Sequence, residues 1–265
     1  MSTGNGKGDA GGASADRASG GPRSAITDSL KKPLPKRFYK EVSVGDVAPF
    51  QVLLDGRAIK TPKKRQLALP TRALAEAIAA EWRAQAEVID PAKMPLTRFA
   101  NTAIDAVADT LEAVAADITA YAGSDLVCYR AKMPPKLVES QSEHWDPIVA
   151  WANTTLPAHF EVVAGVVHVA QPEASLAAFS KALPHDAFRL TALHVLTTLT
   201  GSALITLAVF RQWLSPDAAW KAAHVDEDYQ ISVWGEDAEA SARRRGRKAE
   251  FDSANRFLEL TASAS

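Results

Sequence analysis

Asp226-Glu227-Asp228 sets three carboxylates in a row, followed by Tyr229, Gln230 and Trp234, so acids and large amphipathic side chains meet where a helix would start. Acids in a first helical turn complement the helix dipole and cap free amides, and need neither a metal nor a substrate to do so. The same carboxylates could instead act as general acid and base if folding brought a histidine to Glu227 and Asp228. Histidines stand at 144, 159, 168, 185, 194 and 224, and no two are spaced i, i+3 or i+4, as helix-borne metal ligands commonly are. His194 falls in an apolar helical stretch, where a hydrogen-bonded core histidine is the expectation. Cys128 is the single cysteine, which rules out an internal disulfide framework and a cysteine-built metal site. Its neighbours Leu126, Val127 and Tyr129 suit a small buried hydrophobe better than a reactive thiol.

Signals for phosphate and nucleic acid are weaker. Gly6-Lys7-Gly8-Asp9-Ala10-Gly11 matches G-x-G-x-x-G, but without the preceding strand and following helix that make a pyrophosphate site. There is no Walker loop, G-x-S-x-G elbow or H-E-x-x-H helix. Arg243, Arg244, Arg245, Arg247 and Lys248 are interleaved with Glu236, Asp237, Glu239 and Glu250, the composition of a solvated helix face. Lys60, Lys63, Lys64 and Arg65 make a smaller basic loop with the same default reading. Thirty basic and 31 acidic residues leave a net charge of -1, so no global field draws the chain to nucleic acid or anionic lipid. No cofactor and no metal is expected.

The elements that must position these residues follow from punctuation and periodicity. Residues 1–34 are rich in Gly, Ser and Ala, lack the apolar run of a secretory signal, and are expected to be a disordered tail. Phe50–Leu54 and Arg57–Thr61 flank Asp55-Gly56 and predict a hairpin, since Asp-Gly supplies the positive φ angles of a two-residue turn. Thr71 should cap a helix running to about Gln85, with Leu74, Ile78 and Trp82 on one face. Helical spacing resumes from Leu96 to Tyr121, with Asp109 a candidate cap within it. Leu126–Tyr129 suggests a short strand, Lys136–Trp151 a helix with a bend at Pro147, and Phe160–Val169 a second hairpin around Gly165. Helices are then expected over 176–183, 186–199, 202–214 and 216–223, with a long charged segment over 226–260. Leu190–Phe210 holds no Lys, Arg, Asp or Glu, but His194, five threonines and the Gly201-Ser202 break favour two core helices over a membrane span. Strands first and helices afterwards make the fold class α+β: a small β-rich domain with one helix over 35–93, then a larger, mainly helical domain over 94–262.

Taken in order, a further set of short motifs is informative as a whole. Arg37-Phe38-Tyr39-Lys40, Leu54-Asp55-Gly56-Arg57 with Lys60-Thr61-Pro62, Leu69-Pro70-Thr71, Glu81-Trp82 and Met94-Pro95-Leu96-Thr97 are followed by Asn101-Thr102-Ala103-Ile104-Asp105. Asp125 with Tyr129-Arg130, Trp145-Asp146-Pro147, Asp226-Glu227 with Gln230, and Trp234-Gly235 complete the series. Together they resemble the ATP-twelve family, assembly chaperones of the F-one sector of ATP synthase, over roughly residues 37–260. The resemblance implies a non-enzymatic protein that binds the unassembled alpha subunit and keeps it from aggregating until beta subunits take its place. It also places a functionally important acid at Glu227, with Asp226 the adjacent alternative and Gln230 and Trp234 beside them on the client-binding region. No catalytic residue, nucleic-acid contact or membrane insertion goes with this reading, and a monomer is expected. The compartment would be the bacterial cytoplasm, or the mitochondrial matrix in a eukaryote. An enzyme with a carboxylate/histidine site in the helical domain, and an adaptor using the basic stretch near Arg244, are the competing readings.

Overall fold

The computed structural model describes residues 33–165 and 167–262. The expected tail, apart from Pro33 and Leu34, lies outside the described residues, and so does the glycine-rich match at Gly6–Gly11. From Lys36 onward the chain forms one compact unit.

Three short strands open it: β1 (Val42–Val44), β2 (Val52–Leu54) and β3 (Arg57–Ala58), antiparallel in that order. Asp55 and Gly56 both take positive φ, 47° and 78°, which is the turn that Asp-Gly favours between twisted strands. Helix α1 (Arg72–Arg83) follows, its first turn capped by Thr71 Oγ1, which accepts from Leu74 N at 3.1 Å. Leu74, Ala75, Ile78 and Ala79 form the stripe that α1 buries against β1 and β2.

Helices α2 (Pro95–Asp105), α3 (Leu111–Gly123) and α4 (Pro135–Thr155) continue the chain. Asp109 caps none of them. It lies in a 3₁₀ turn before α3, and its carboxylate is taken up by the Arg65 guanidinium instead, with Oδ1 3.1 Å from Nη1. Pro147 sits inside α4 without ending it. The stretch expected to be a strand from Leu126 begins as a 3₁₀ turn and becomes strand β4 only at Tyr129–Arg130. Its partner is β5 (Val163–Ala164), and the pairing is parallel. Among the described residues, the hairpin expected around Gly165 therefore does not form: the segment pairs with a strand more than thirty residues upstream, a choice that no local turn signal encodes.

Helices α5 (Glu173–Ala182), α6 (Ala187–Thr200), α7 (Ala203–Phe210) and α8 (Pro216–Ala223) follow, with α6 and α7 the most buried of them. Asp186 and Ser202 cap α6 and α7, and Gly201, at φ 68°, makes the left-handed turn between them. Every residue of α7 from Ala203 to Val209 is buried, as expected for a helix apolar on all sides. No described helix is long and apolar enough to cross a membrane. His194 is not a core residue. Its side chain is 37% exposed and its Nε2 lies 2.8 Å from Asp117 Oδ2 on α3, because it falls on the edge of α6 rather than on the Leu190–Leu193–Leu196 face. The charged segment after residue 225 is two helices, α9 (Val225–Trp234) and α10 (Ala238–Thr261). Gly235 breaks them apart at φ 84° and ψ 174°, a backbone conformation essentially reserved for glycine. Phe251, Ala254, Phe257 and Leu258 carry α10 across α6 and α2, and the Thr71 hydroxyl donates to Leu260 O, tying the start of α1 to the end of α10.

Candidate functional site: helix α9 and its aromatic end

Helix α9 buries only Val225, fewer residues than the helices α4 and α10 beside it. Its first turn carries Asp226, Glu227 and Asp228, as dipole complementarity favours, yet each acid also has a specific partner on another helix. Asp226 Oδ1 accepts from Gln141 Nε2 at 2.6 Å, and the buried Gln141 side chain also accepts from Ala131 N at 2.7 Å. Asp226 thus ties α9 to α4 and to the end of β4. Both oxygens of Glu227 lie 2.8 Å from Arg247 Nη2 on α10, and Asp228 pairs with Arg244 one turn earlier on the same helix. The basic stretch of α10 is therefore partly neutralised by the acids of α9. Arg243 is paired with Glu239, and Lys248 with Asp252.

His224 is the one histidine near these acids, with Nε2 3.8 Å from Glu227 Oε2. The imidazole is 3% exposed, stacked on Trp220, and its Nδ1 is 2.8 Å from Trp220 O. A carbonyl can only accept, so Nδ1 carries the proton and Nε2 is a bare nitrogen. Burial lowers the pKa of His224 and keeps it neutral. The pair resembles the start of an acid–base site, but the carboxylate is committed to Arg247 and the ring is sealed off. No described cluster of His, Cys, Asp and Glu could hold a metal ion.

Gln230 and Trp234 extend along α9 away from these pairs. Gln230 is exposed, and Trp234 is 80% exposed with Val233 beside it at 50%. A shallow cleft of about 220 Å³ runs beneath Trp234, lined by Gln230, Ile231, Ala240 and Arg244. The four residues singled out from the sequence thus share one helix but divide in kind. Asp226 and Glu227 are engaged by Gln141 of α4 and Arg247 of α10, while Gln230 and Trp234 are exposed.

Two residues quoted only as members of the motif series have placements that the sequence did not reveal. Phe38 is 73% exposed and belongs to a motif otherwise occupied with internal bonds. Asp125 is fully buried, accepting from Val127 N at 3.2 Å and Leu204 N at 2.9 Å, so one carboxylate caps both a 3₁₀ turn and the start of α7. Burial raises its pKa to about 6 despite those bonds. Cys128 is buried as expected, and the same cause, aided by the Asp125 charge, lifts its thiol to about 12.

Known proteins share this fold. A family model described as ATP12 chaperone protein matches residues 36–153. The crystal structure of Atp12 from Paracoccus denitrificans is 44% identical, with 86% of this chain and 99% of that one covered at a TM-score of 0.81. An aspartate-to-lysine mutant of the Paracoccus protein matches over 86% and 98% at 0.80, again with 44% identity. The Atu1473 protein of Agrobacterium tumefaciens, also 44% identical, matches over 92% and 93% at 0.84. The α+β fold and these matches together define the class, a non-enzymatic assembly chaperone. The chain belongs to the ATP12 chaperone family, the assembly chaperones of ATP synthase.

Proposed function

We propose that the protein binds the unassembled alpha subunit of the F-one sector and shields it from aggregation until beta subunits replace the chaperone. The observation that carries this reading is the exposure of Trp234 at the end of a helix otherwise fixed by ion pairs. A large aromatic left in water without an internal bond is a common anchor of protein interfaces, and subunits made before their neighbours expose apolar faces that need a reversible cover. Family membership and the motif series from Arg37 to Gly235 support the choice of client. In this reading Trp234 and Gln230 touch alpha, while Glu227 and Asp226 set the angle at which α9 presents them. The protein acts as a monomer in the bacterial cytoplasm, which suits its bacterial relatives.

Co-expression with alpha, and separately with beta, tests the reading. Alpha should become soluble and co-purify in a one-to-one complex, and beta should do neither. Alpha that stays as insoluble as without the chaperone, and does not co-purify, overturns the assignment.

A further inference from the structure

The β-rich region carries a second open surface whose chemistry differs from that of α9. Phe38 stands at the mouth of a cavity of about 560 Å³, floored by Leu54, Ile59 and Trp82 and rimmed by Arg57 and Lys60. Trp82 packs edge-on against Tyr39, and its Nε1, a donor, has no hydrogen-bond partner. Two basic residues of the same loop are already engaged: Lys63 Nζ donates to Asp105 O, and Arg65 pairs with Asp109. Arg57 and Lys60 are exposed, and neither is in an ion pair among the described residues. The one acid at the cavity, Asp55, is turned onto the Lys40 and Glu41 amides, which hold its carboxyl below the usual range. Among the described residues lining this cavity, the charged side chains left without an ion pair or hydrogen bond are therefore both cations. Beside it, β3 pairs with β2 along one edge only, and Ala58 on that strand lines the cavity.

We propose that this cavity and the free edge of β3 receive an extended segment of a partner protein, an apolar anchor flanked by acidic side chains. The segment would add as a strand to β3, the mode by which open sheet edges commonly take peptides. Its apolar anchor would settle between Phe38 and Trp82, and its acids would meet Arg57 and Lys60. Charge complementarity decides the sign of the partner, since the only acid present is already satisfied.

The test uses the full chain and a fluorophore-labelled heptapeptide with a central Val-Leu-Val and two glutamates on each side, followed by anisotropy. It requires no alpha subunit, so its outcome is independent of the client assigned above. The wild-type protein should bind the glutamate peptide and reject a version with lysines in place of the glutamates. Arg57→Glu/Lys60→Glu should weaken the glutamate peptide by about tenfold or more and admit the lysine peptide, while Phe38→Ser should weaken both combinations. All three positions are exposed, so circular dichroism should match wild type. Equal binding of the two peptides to wild type, or glutamate-peptide binding untouched by the double substitution, overturns the proposal. So does a concentration-dependent dimer that the double substitution abolishes, which would assign the surface to a second copy. Tighter binding of a synthetic peptide of residues 24–30, with its Ile26, Asp28 and Leu30, would assign it to the chain's own N-terminal segment and equally overturn it.

Discussion

Two places in this molecule combine an arginine with a carboxylate and a tryptophan from the family-like motifs. In the first, Arg130 is 9% exposed, pairs with Asp146 at 2.8 Å, donates to Val127 O at 2.9 Å, and lies 5.3 Å from the ring centre of Trp145. Trp145 has no exposed surface, and its Nε1 donates to Ala222 O at 2.7 Å, joining α4 to α8. In the second, the Glu227–Arg247 pair is a third to a half exposed and Trp234 stands clear of it. The same residue types are a staple in one place and an open surface in the other. What separates them is whether the aromatic ring is packed inside the fold. By that criterion most of the motif series is structural. Glu81 accepts from Leu96 N, Thr97 N and the Thr97 hydroxyl at 2.7–2.8 Å to start α2, and Asp105 accepts from the Thr61 hydroxyl at 2.6 Å. Phe38 and Trp234 are the large motif aromatics left outside.

Replacing the two tryptophans in turn should break the comparison most visibly. Trp145→Ala removes a fully packed indole and its hydrogen bond, and should cost about 3–5 kcal/mol in urea unfolding. Trp234→Ala should change stability by less than about 0.5 kcal/mol yet lose most of the rescue of alpha on co-expression. A Trp234→Ala protein that unfolds early, or one that protects alpha as well as wild type, removes the distinction between staple and open surface.

Asp125 sharpens the structural side with a pH dependence. Its folded pKa of about 6 lies above the ordinary 3.8, so the native state holds the proton while the unfolded chain releases it. The stability this group contributes is thus fully present below the unfolded value and lost as pH rises through about 6. Asp125→Asn does not titrate. The stability advantage of wild type over this variant should therefore shrink by about 3 kcal/mol between about pH 4 and pH 7. Paired urea titrations measure it. An advantage that grows with pH would mean that the amides of Val127 and Leu204 outweigh the burial of the charge.

Local signals were legible from residues alone wherever the physics is local. Asp55-Gly56 needs only its own φ angles, and Thr71 needs only the amide three residues on. Asp109 reads as a cap for the same reason, but Arg65, over forty residues away, offers its carboxylate a charged partner and wins. The β4–β5 pairing depends on a strand more than thirty residues away, and the split at Gly235 on a glycine backbone conformation, neither of which periodicity contains. The candidate site shows the same divide. Asp226, Glu227, Gln230 and Trp234 could be picked out through a resemblance, and their grouping on one helix follows from spacing. That Glu227 is engaged by Arg247 and Asp226 by Gln141, from 20 and 85 residues away, could not be read from the segment itself.

The smallest expected effect bears on what Glu227 does. The Glu227–Arg247 pair is partly exposed, so a double-mutant cycle with Glu227→Gln and Arg247→Gln should give a coupling of only about 0.2–1 kcal/mol, weaker in high salt. Stability alone will hardly register it, but the orientation of α9 should. If the pair holds the helix, both single variants lose rescue of alpha to the same degree, and the exchange Glu227→Arg with Arg247→Glu recovers much of it. If Glu227 meets a basic group of the client directly, Glu227→Gln loses rescue, Arg247→Gln keeps it, and the exchange restores nothing. His224 cannot stand in for Arg247, because burial keeps it neutral and its remaining nitrogen has no proton to donate. An indifferent result, with every variant as protective as wild type, would take Glu227 out of the function and leave Trp234 to carry α9's part by itself.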